Sequence, residues 1–337
     1  MTVLRKHVNI LNGFNKVKQQ TEDTSEGNMK HLKLGKIQWI ALLVVSAMFV
    51  NLCSHMVLAA ARDGNDPAQG TTAEATTASE ATTETTTEQQ EETQSMGEYK
   101  AFWFSFYDYD SYRAKYKKRT AANFRTYFTG VVKKGKSLGM NRVIVQVRPF
   151  GDAIYKSKYF PWSKYISGKQ GRNPGFDPLK IMVEVAHDND MKIEAWVNPY
   201  RVTTGSTNYK KLAKNNQARK WHAKKSTRRN VLSYGGSLYY NPSKKDVRNL
   251  IINGAKEIVK NYKVDGIHMD DYFYPEFTSK NVKTAFDAKE YNKSSYKKNK
   301  KSIYTYRRAQ VSTLVMDMKA AIKKINSKVT YGISPAG

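Results

Sequence analysis

The chain has 337 residues, a formal net charge of +28 and a single cysteine. Because that cysteine, Cys53, lies in an N-terminal apolar segment, the rest of the chain has no disulfide to form. No spacing of His, Cys and acidic residues resembles a zinc set, so we predict neither a metal nor another cofactor. The charge predicts a partner of opposite sign.

Residues 1–61 have the pattern of a targeting segment. Three lysines precede an apolar run at 39–52, which leads to three alanines at 59–61. A basic segment, an apolar run of this length and small residues at its end are typical of a secretory signal peptide. An uncleaved membrane anchor is the alternative. Either predicts a protein of the cell envelope, secreted or tethered to the outer face of the cytoplasmic membrane.

Residues 62–98 are rich in threonine, alanine and glutamate and contain almost no large apolar side chain. Such a segment cannot bury enough surface to fold, so it is predicted to be a disordered linker. The acids of the chain are enriched there, which leaves the part from Tyr99 onwards strongly basic. In an envelope protein, this charge favours anionic cell-wall polymers or a membrane surface as partners. The basic loops contain no recognisable nucleic-acid module, so nucleic acid is not predicted as a partner.

From residue 99 onwards, predicted strands alternate with predicted helices. Asp177 supplies an N-cap and Pro178 the first helical position, followed by apolar residues at helical spacing. Regular alternation implies right-handed crossovers and a parallel sheet. The other predicted helices are Phe124–Leu138, Asp246–Tyr262 and Tyr304–Ile325. The predicted strands are Lys100–Phe106, Asn141–Arg148, Lys192–Val197, Val264–Met269 and Val329–Ile333.

Polar side chains mark three of these strands near their carboxyl ends. The fourth strand stops in the adjacent carboxylates Asp270 and Asp271, and two acids are costly in a core unless they meet water or a ligand. Because alternate side chains of a strand point to opposite faces, one face of each strand is apolar and faces the covering helices. The polar set is then predicted on the inner face, and it comprises Gln146, Arg148, Glu194, Trp196, Asn198, His268 and Asp270.

Five motifs occur in order along residues 99–337. They are AFW at 101–103, VQVRPFGD at 145–152, EAWVNPYR at 194–201, DGIHMDDYFYP at 265–275 and GISP at 332–335. In these motifs the chain resembles the bacterial glycosyl-hydrolase-like family 10. The resemblance implies a (β/α)8 barrel and, for some members, cleavage of the glycan strands of peptidoglycan. It also places the acid of the fourth strand where the related alpha-amylase superfamily keeps a nucleophilic aspartate.

Asp270 and Asp271 are therefore the predicted catalytic residues. Strand parity favours Asp270 as nucleophile or charge stabiliser, with Asp271 as an orienting acid. Arg148 is a predicted ion-pair partner that would keep Asp270 ionised. The general acid of a hydrolase is less evident and is expected beyond Gly337, or at Glu276 or Asp152. The predicted substrate-binding residues are Arg148, Asp152, Glu194, Asn198, Tyr200, Arg201, His268, Tyr272 and Tyr274.

The fold class predicted is α/β, of the (β/α)8 TIM-barrel type, apparently truncated after about the fifth strand. A full barrel has eight strands, and two insertions, Val202–Tyr240 and Phe277–Ser302, consume much of the length. The predicted function is a glycoside hydrolase that acts on cell-wall glycan of the peptidoglycan type or a related polysaccharide. The alternative is a non-catalytic carbohydrate-binding or wall-associated barrel protein.

Overall fold

The computed structural model describes residues 98–335. The predicted signal peptide or anchor at 1–61, and nearly all of the predicted linker, lie outside these residues. Among residues 98–335, every helix is too short or too polar to span a bilayer.

The described chain alternates between strands and helices and carries one additional hairpin. The strands are β1 (Ala101–Phe104), β2 (Arg142–Arg148), β3 (Lys192–Val197), β4 (Val231–Tyr234), β5 (Ser237–Tyr240), β6 (Gly266–Met269) and β7 (Thr330–Ile333). The α-helices are α1 (Phe106–Lys115), α2 (Ala121–Ser137), α3 (Lys164–Ser167), α4 (Pro178–His187), α5 (Gln217–Ala223), α6 (Lys245–Asn261), α7 (Ala288–Asn292), α8 (Ser295–Lys298) and α9 (Ile303–Ile325). Two short 3-10 helices lie at Tyr209–Lys211 and Arg228–Asn230.

The main sheet has the strand order β1-β2-β3-β6-β7, and all of its neighbouring strands are parallel. Strand order thus follows chain order, without the reversal that defines a doubly wound sheet. Each crossover leads to the next strand on the same side of the sheet. Right-handed crossovers of this kind place all their helices on one face of the sheet, which is the arrangement of a β/α barrel. All five predicted strands and the four predicted helices are confirmed, with small shifts of their ends.

The outer face of the sheet packs against α2, α4, α6 and α9. Its side chains, among them Val143, Ile193 and Ile267, join the helices in one buried apolar cluster. Local signals set where the helices start, as at α4, where the Asp177 side chain accepts a hydrogen bond from the Lys180 amide. Burial of this face supplies most of the driving force for folding of the described part.

The inner face of the sheet carries polar side chains, and two glycines leave room for them. A Cβ on Gly266 would lie 2.3 Å from Thr330 Oγ1 and 2.8 Å from Glu194 Cγ. A Cβ on Gly332 would lie 2.9 Å from His268 Nδ1. Glycine is therefore needed at both positions for Glu194 and His268 to lie side by side over β6 and β7.

The insertion at Val202–Tyr240 ends in a β-hairpin that was not predicted. Its strands β4 and β5 are joined by Gly235 and Gly236, both with positive φ. Two glycines between two short apolar strands are a recognised hairpin signal, so the hairpin was readable from the sequence. The hairpin is tied to the residues after β3, because the Tyr240 amide donates to the Tyr200 carbonyl oxygen at 2.7 Å.

Candidate active site

Asp270 follows the carboxyl end of β6 and is the centre of a hydrogen-bonded cluster. Its side chain is buried, with 6% exposure, and faces the end of β3. Asn198 Nδ2 lies 2.7 Å from both carboxylate oxygens. The Tyr272 amide donates to Oδ1 at 3.0 Å. These contacts fix the position and orientation of the carboxylate at the carboxyl edge of the sheet.

A second set of hydrogen bonds fixes the direction of the Asn198 amide. Gln146 Nε2 donates to Asn198 Oδ1 at 2.5 Å, and the Phe106 amide donates to Gln146 Oε1 at 3.0 Å. Because the Asn198 oxygen is occupied by a donor, its NH2 group must point at Asp270. The sheet therefore pre-positions the carboxylate through β2 and β3, before any substrate binds.

Glu194 and His268 form a separate, deeper pair on the inner face. Glu194 Oε2 lies 2.8 Å from His268 Nδ1, and Arg142 donates to Glu194 Oε1 at 3.0 Å. His268 Nε2 in turn lies 2.9 Å from Ser334 Oγ. Burial raises the pKa of Glu194, but the hydrogen bond from His268 and the charges of His268 and Arg142 outweigh it and hold the pKa low. Glu194 is thus an ionised, fully engaged carboxylate, ill suited to donate a proton.

The prediction that Arg148 faces inward beside Asp270 is wrong. A bulge between Gln146 and Arg148 aligns Arg148 with Val197, whose side chain lies on the helix-covered face. The guanidinium donates to the Pro199 carbonyl oxygen at 3.1 Å and lies over the Phe160 ring. Arg148 therefore holds loops together on the outer side. The alternation rule failed because one extra residue reverses strand parity.

Asp152 and Tyr200, two predicted substrate-binding residues, are almost fully buried. Asp152 is 2% exposed and accepts a hydrogen bond from Gln170 Nε2 at 2.8 Å. Burial raises the pKa of Asp152, and the bond from Gln170 opposes this. Tyr200 is 1% exposed, and burial likewise raises its pKa. In this arrangement both residues support the loops at the carboxyl edge of the sheet.

The partly exposed rim of the site is aromatic and cationic. The Arg201 guanidinium lies 3.7 Å from the Tyr272 ring centre, and the Tyr272 hydroxyl lies 2.9 Å from that of Tyr239 on β5. Flat aromatic surfaces next to a buried carboxylate suit the apolar face of a sugar ring. Asp271 is exposed on the same loop, as is Glu276.

Tyr274 points away from this rim. Its hydroxyl donates to Asp287 Oδ2 at 2.8 Å, and Asp287 also pairs with the buried Arg307 at 2.8 Å. Burial, together with the charge of Asp287, raises the pKa of Tyr274. These contacts hold the segment after β6 against the start of α9, so Tyr274 is placed as a support for the loop that carries Asp271.

Three residues of the site were not predicted as functional. Gln146 was placed on the inner face but given no role, although a polar side chain inside a buried strand is a signal. Ser334 lies in the last motif and contacts His268. Tyr239 lies on the hairpin, which the glycine pair signals, but its approach to Tyr272 depends on how the hairpin packs and not on a local pattern. Within residues 98–335, no group of three or more His, Cys, Asp or Glu side chains is arranged to hold a metal ion.

A family model classifies the chain. Residues 100–337 match the model described as Glycosyl hydrolase-like 10. The chain belongs to this family. It is 39% identical over 206 residues to the glycosyl hydrolase YngK of Bacillus subtilis (strain 168), covering 60% of this chain and 38% of that protein. It is 35% identical over 202 residues to the glycosyl hydrolase DigH of Escherichia coli (strain K12), covering 59% and 45%. The chain thus spans less than half the length of these relatives.

The comparison with solved structures gives matches at low sequence identity. The alpha-L-fucosidase isoenzyme 2 of Paenibacillus thiaminolyticus gives a TM-score of 0.44 at 11% identity, covering 69% of this chain and 32% of that chain. The alpha-amylase of Geobacillus thermoleovorans, complexed with acarbose, gives 0.37 at 11% identity, covering 62% and 40%.

Proposed function

We propose that this protein is a glycoside hydrolase that cleaves cell-wall glycan of the peptidoglycan type, or a related polysaccharide, by carboxylate chemistry. The observation that carries the proposal is the position of Asp270 at the carboxyl end of β6, held by Asn198 and Tyr272 in a member of a glycosyl hydrolase-like family. The carboxyl edge of the strands is where β/α barrels carry their chemistry.

In this proposal Asp270 attacks the anomeric carbon, while the bond from that carbon to the leaving sugar's oxygen breaks and the oxygen takes up a proton from a general acid or water, or it stabilises the positive charge that develops at the carbon. Glycoside hydrolysis passes through an oxocarbenium-like transition state, so a fixed anion beside the ring lowers its free energy. The side-chain amide of Asn198 and the backbone amide of Tyr272 hold the carboxylate in place. Tyr272, with Arg201 stacked on its ring, forms the wall on which a sugar would lie.

The wall location is a proposal that rests on the N-terminal sequence. A signal peptide or anchor at 1–61, followed by a linker at 62–98, would hold the catalytic part outside the cytoplasmic membrane. The cationic surface from residue 99 onwards supports an anionic envelope polymer or membrane surface as a neighbour.

A second candidate function follows from the carboxyl groups near Asp270. Hydrolysis needs two carboxyl groups that flank the bond, one of them protonated. In the described part, the hydrogen-bonded cluster of Asp270 includes no second carboxyl group, and Glu194 is ionised in its own pair. A barrel with the sugar groove and one acid would be a carbohydrate-binding protein.

Reducing-end release separates the two functions. The full-length protein and its Asp270→Asn variant are incubated with purified glycan strands, with and without stem peptides. The hydrolase proposal expects release by the parent protein and background release by the variant. Release by neither protein, with strand binding retained in both, would establish the binding function instead.

Asp188→Asn is a matched control. Asp188 is an exposed acid at the end of α4, at the opposite edge of the sheet. Its substitution makes the same change of charge, and activity should be unchanged. Thermal unfolding of all three proteins shows whether lost activity reflects lost fold.

A further inference from the structure

A cavity of about 580 Å3 opens between the segment after α3 and the segment that leads into α5. Six basic side chains and no acidic ones line it, and they are Lys169, Arg172, Lys210, Lys211, Lys214 and Arg219. Within the described part, ion pairs form at other basic side chains, such as Arg113, Arg142 and Arg229, but at none of these six. Six unpaired cations around one concave surface repel one another, and a bound anion would relieve that repulsion.

The cavity is a built feature of the fold. The Gln170 side chain accepts hydrogen bonds from the Ala213 amide at 2.9 Å and from Asn216 Nδ2 at 3.3 Å. A Cβ on Gly171 would lie 2.9 Å from the Ala213 Cβ, so glycine allows the two segments to close together. Arg219 donates to the Leu212 carbonyl oxygen at 2.7 Å, and this hydrogen bond fixes the Arg219 guanidinium against the segment that leads into α5.

The cavity lies at the same edge of the sheet as Asp270. Asn216 is fully buried and donates to the Gly151 carbonyl oxygen at 2.9 Å, and Gln170 donates to Asp152 at 2.8 Å. Gly151 and Asp152 lie three and four residues after the end of β2, and Asp270 directly follows β6. In a parallel sheet the carboxyl ends of the strands share one edge, so a single polymer can contact both places.

We propose that this cavity, which we call the basic cavity, binds the carboxylate groups of an acidic polysaccharide. None of its lining residues is aromatic, whereas single-stranded nucleic acids are held largely by aromatic stacking. Its one large apolar side chain, Leu212, is buried, so no side chain is available to insert into a lipid surface. The glycan class of the ligand rests on the proposed function, whereas the anion site rests on the cavity itself.

The test is a binding titration of the full chain with an oligogalacturonate of defined length. The variant replaces Lys210, Lys211 and Lys214 with glutamine. A matched control replaces three exposed, unpaired helix lysines, Lys133, Lys319 and Lys324, and so removes the same charge. We expect about tenfold or greater weakening in the cavity variant and less than about threefold in the control, equivalent to about 1.4 kcal/mol and 0.7 kcal/mol.

Equal weakening of the two variants would overturn the proposal, because it would mean that overall charge attracts the ligand. Preferential cavity-dependent binding of single-stranded DNA or of anionic lipid vesicles would overturn it too. The proposed function is judged separately. Asp270→Asn should keep full oligogalacturonate affinity, and the cavity variant should keep hydrolysis of neutral glycan strands, so each proposal can fail without the other.

Discussion

Replacing Asn198 with leucine tests whether Asp270 is held by the sheet. Asn198 is 1% exposed and bridges Gln146 to the carboxylate. Leucine has the same branching at Cγ and is somewhat larger, so the substitution removes the hydrogen bonds without leaving a cavity. We expect Asp270 to lose the donor that spans its two oxygens and Gln146 to lose its acceptor.

The magnitude follows from the two broken contacts. A hydrogen bond to a charged group contributes about 1.5–3 kcal/mol, and an unsatisfied buried amide costs about 1–3 kcal/mol. The free energy of unfolding should therefore fall by about 2.5–6 kcal/mol. The part that involves Asp270 is isolated by a double-mutant cycle with Asp270→Ala, where we expect a coupling energy of about 1.5–3 kcal/mol.

Urea unfolding of the four proteins of the cycle measures this coupling. Asn292→Leu is the matched control, because Asn292 is exposed at the end of α7 and should change stability by less than about 0.5 kcal/mol. A coupling energy below about 0.5 kcal/mol would refute the reasoning, since Asn198 and Asp270 would then be energetically independent. If the cycle holds, Asn198→Leu should also reduce glycan hydrolysis without removing the carboxylate.

Three further predictions concern the inner face and the loop after β6. Gly266→Ala should destabilise the fold by about 1–3 kcal/mol in thermal unfolding, because its Cβ meets Thr330 and Glu194, whereas Gly130→Ala in α2 meets nothing within 4 Å and should stabilise by about 0.5–1 kcal/mol. A larger loss of stability in Gly130→Ala than in Gly266→Ala would contradict the close packing at Gly266. Because the pKa of Glu194 is lowered in the fold, its ionised form contributes stability at neutral pH that is lost as pH falls through the folded pKa. The destabilisation by Glu194→Gln, measured by urea unfolding, should therefore shrink in acid, and a constant difference would show that the pairing is unimportant. Arg307→Met leaves Asp287 buried without its cation, so we expect a loss of about 3–5 kcal/mol, and a neutral result would show that this ion pair is dispensable.

Much of the fold was predictable because its signals are local. The period of two in β2 and β3, the apolar stripes of α2, α4, α6 and α9, and the Asp-Pro start of α4 each lie within a few residues. Chain order then implied a parallel sheet with helices on one face. The hairpin β4–β5 was missed although its glycine pair is a local signal, because a long polar segment was read as a loop.

The positions of the site's side chains were predictable where they depend on strand parity. They were not predictable where they depend on contacts between different elements. The parity of β3 and β6 correctly put Asn198, His268 and Asp270 on one face. The bulge in β2 changed parity and turned Arg148 outward, which no pattern in the strand itself shows. Asp152 and Tyr274 find their partners, Gln170 and Asp287, in other segments of the chain. The burial of Asp152 and Tyr274 therefore depends on how those segments pack.

Neighbouring residues are enough to specify which elements form and where carboxylates meet the end of a strand, because alternation, capping and strand-end chemistry are local. Three features emerge only once the chain has folded: Gln146 orients Asn198, His268 and Arg142 hold the pKa of Glu194 low, and six cations converge on one cavity. These features depend on the distances between side chains from different elements, and those distances are set when the sheet and its loops pack.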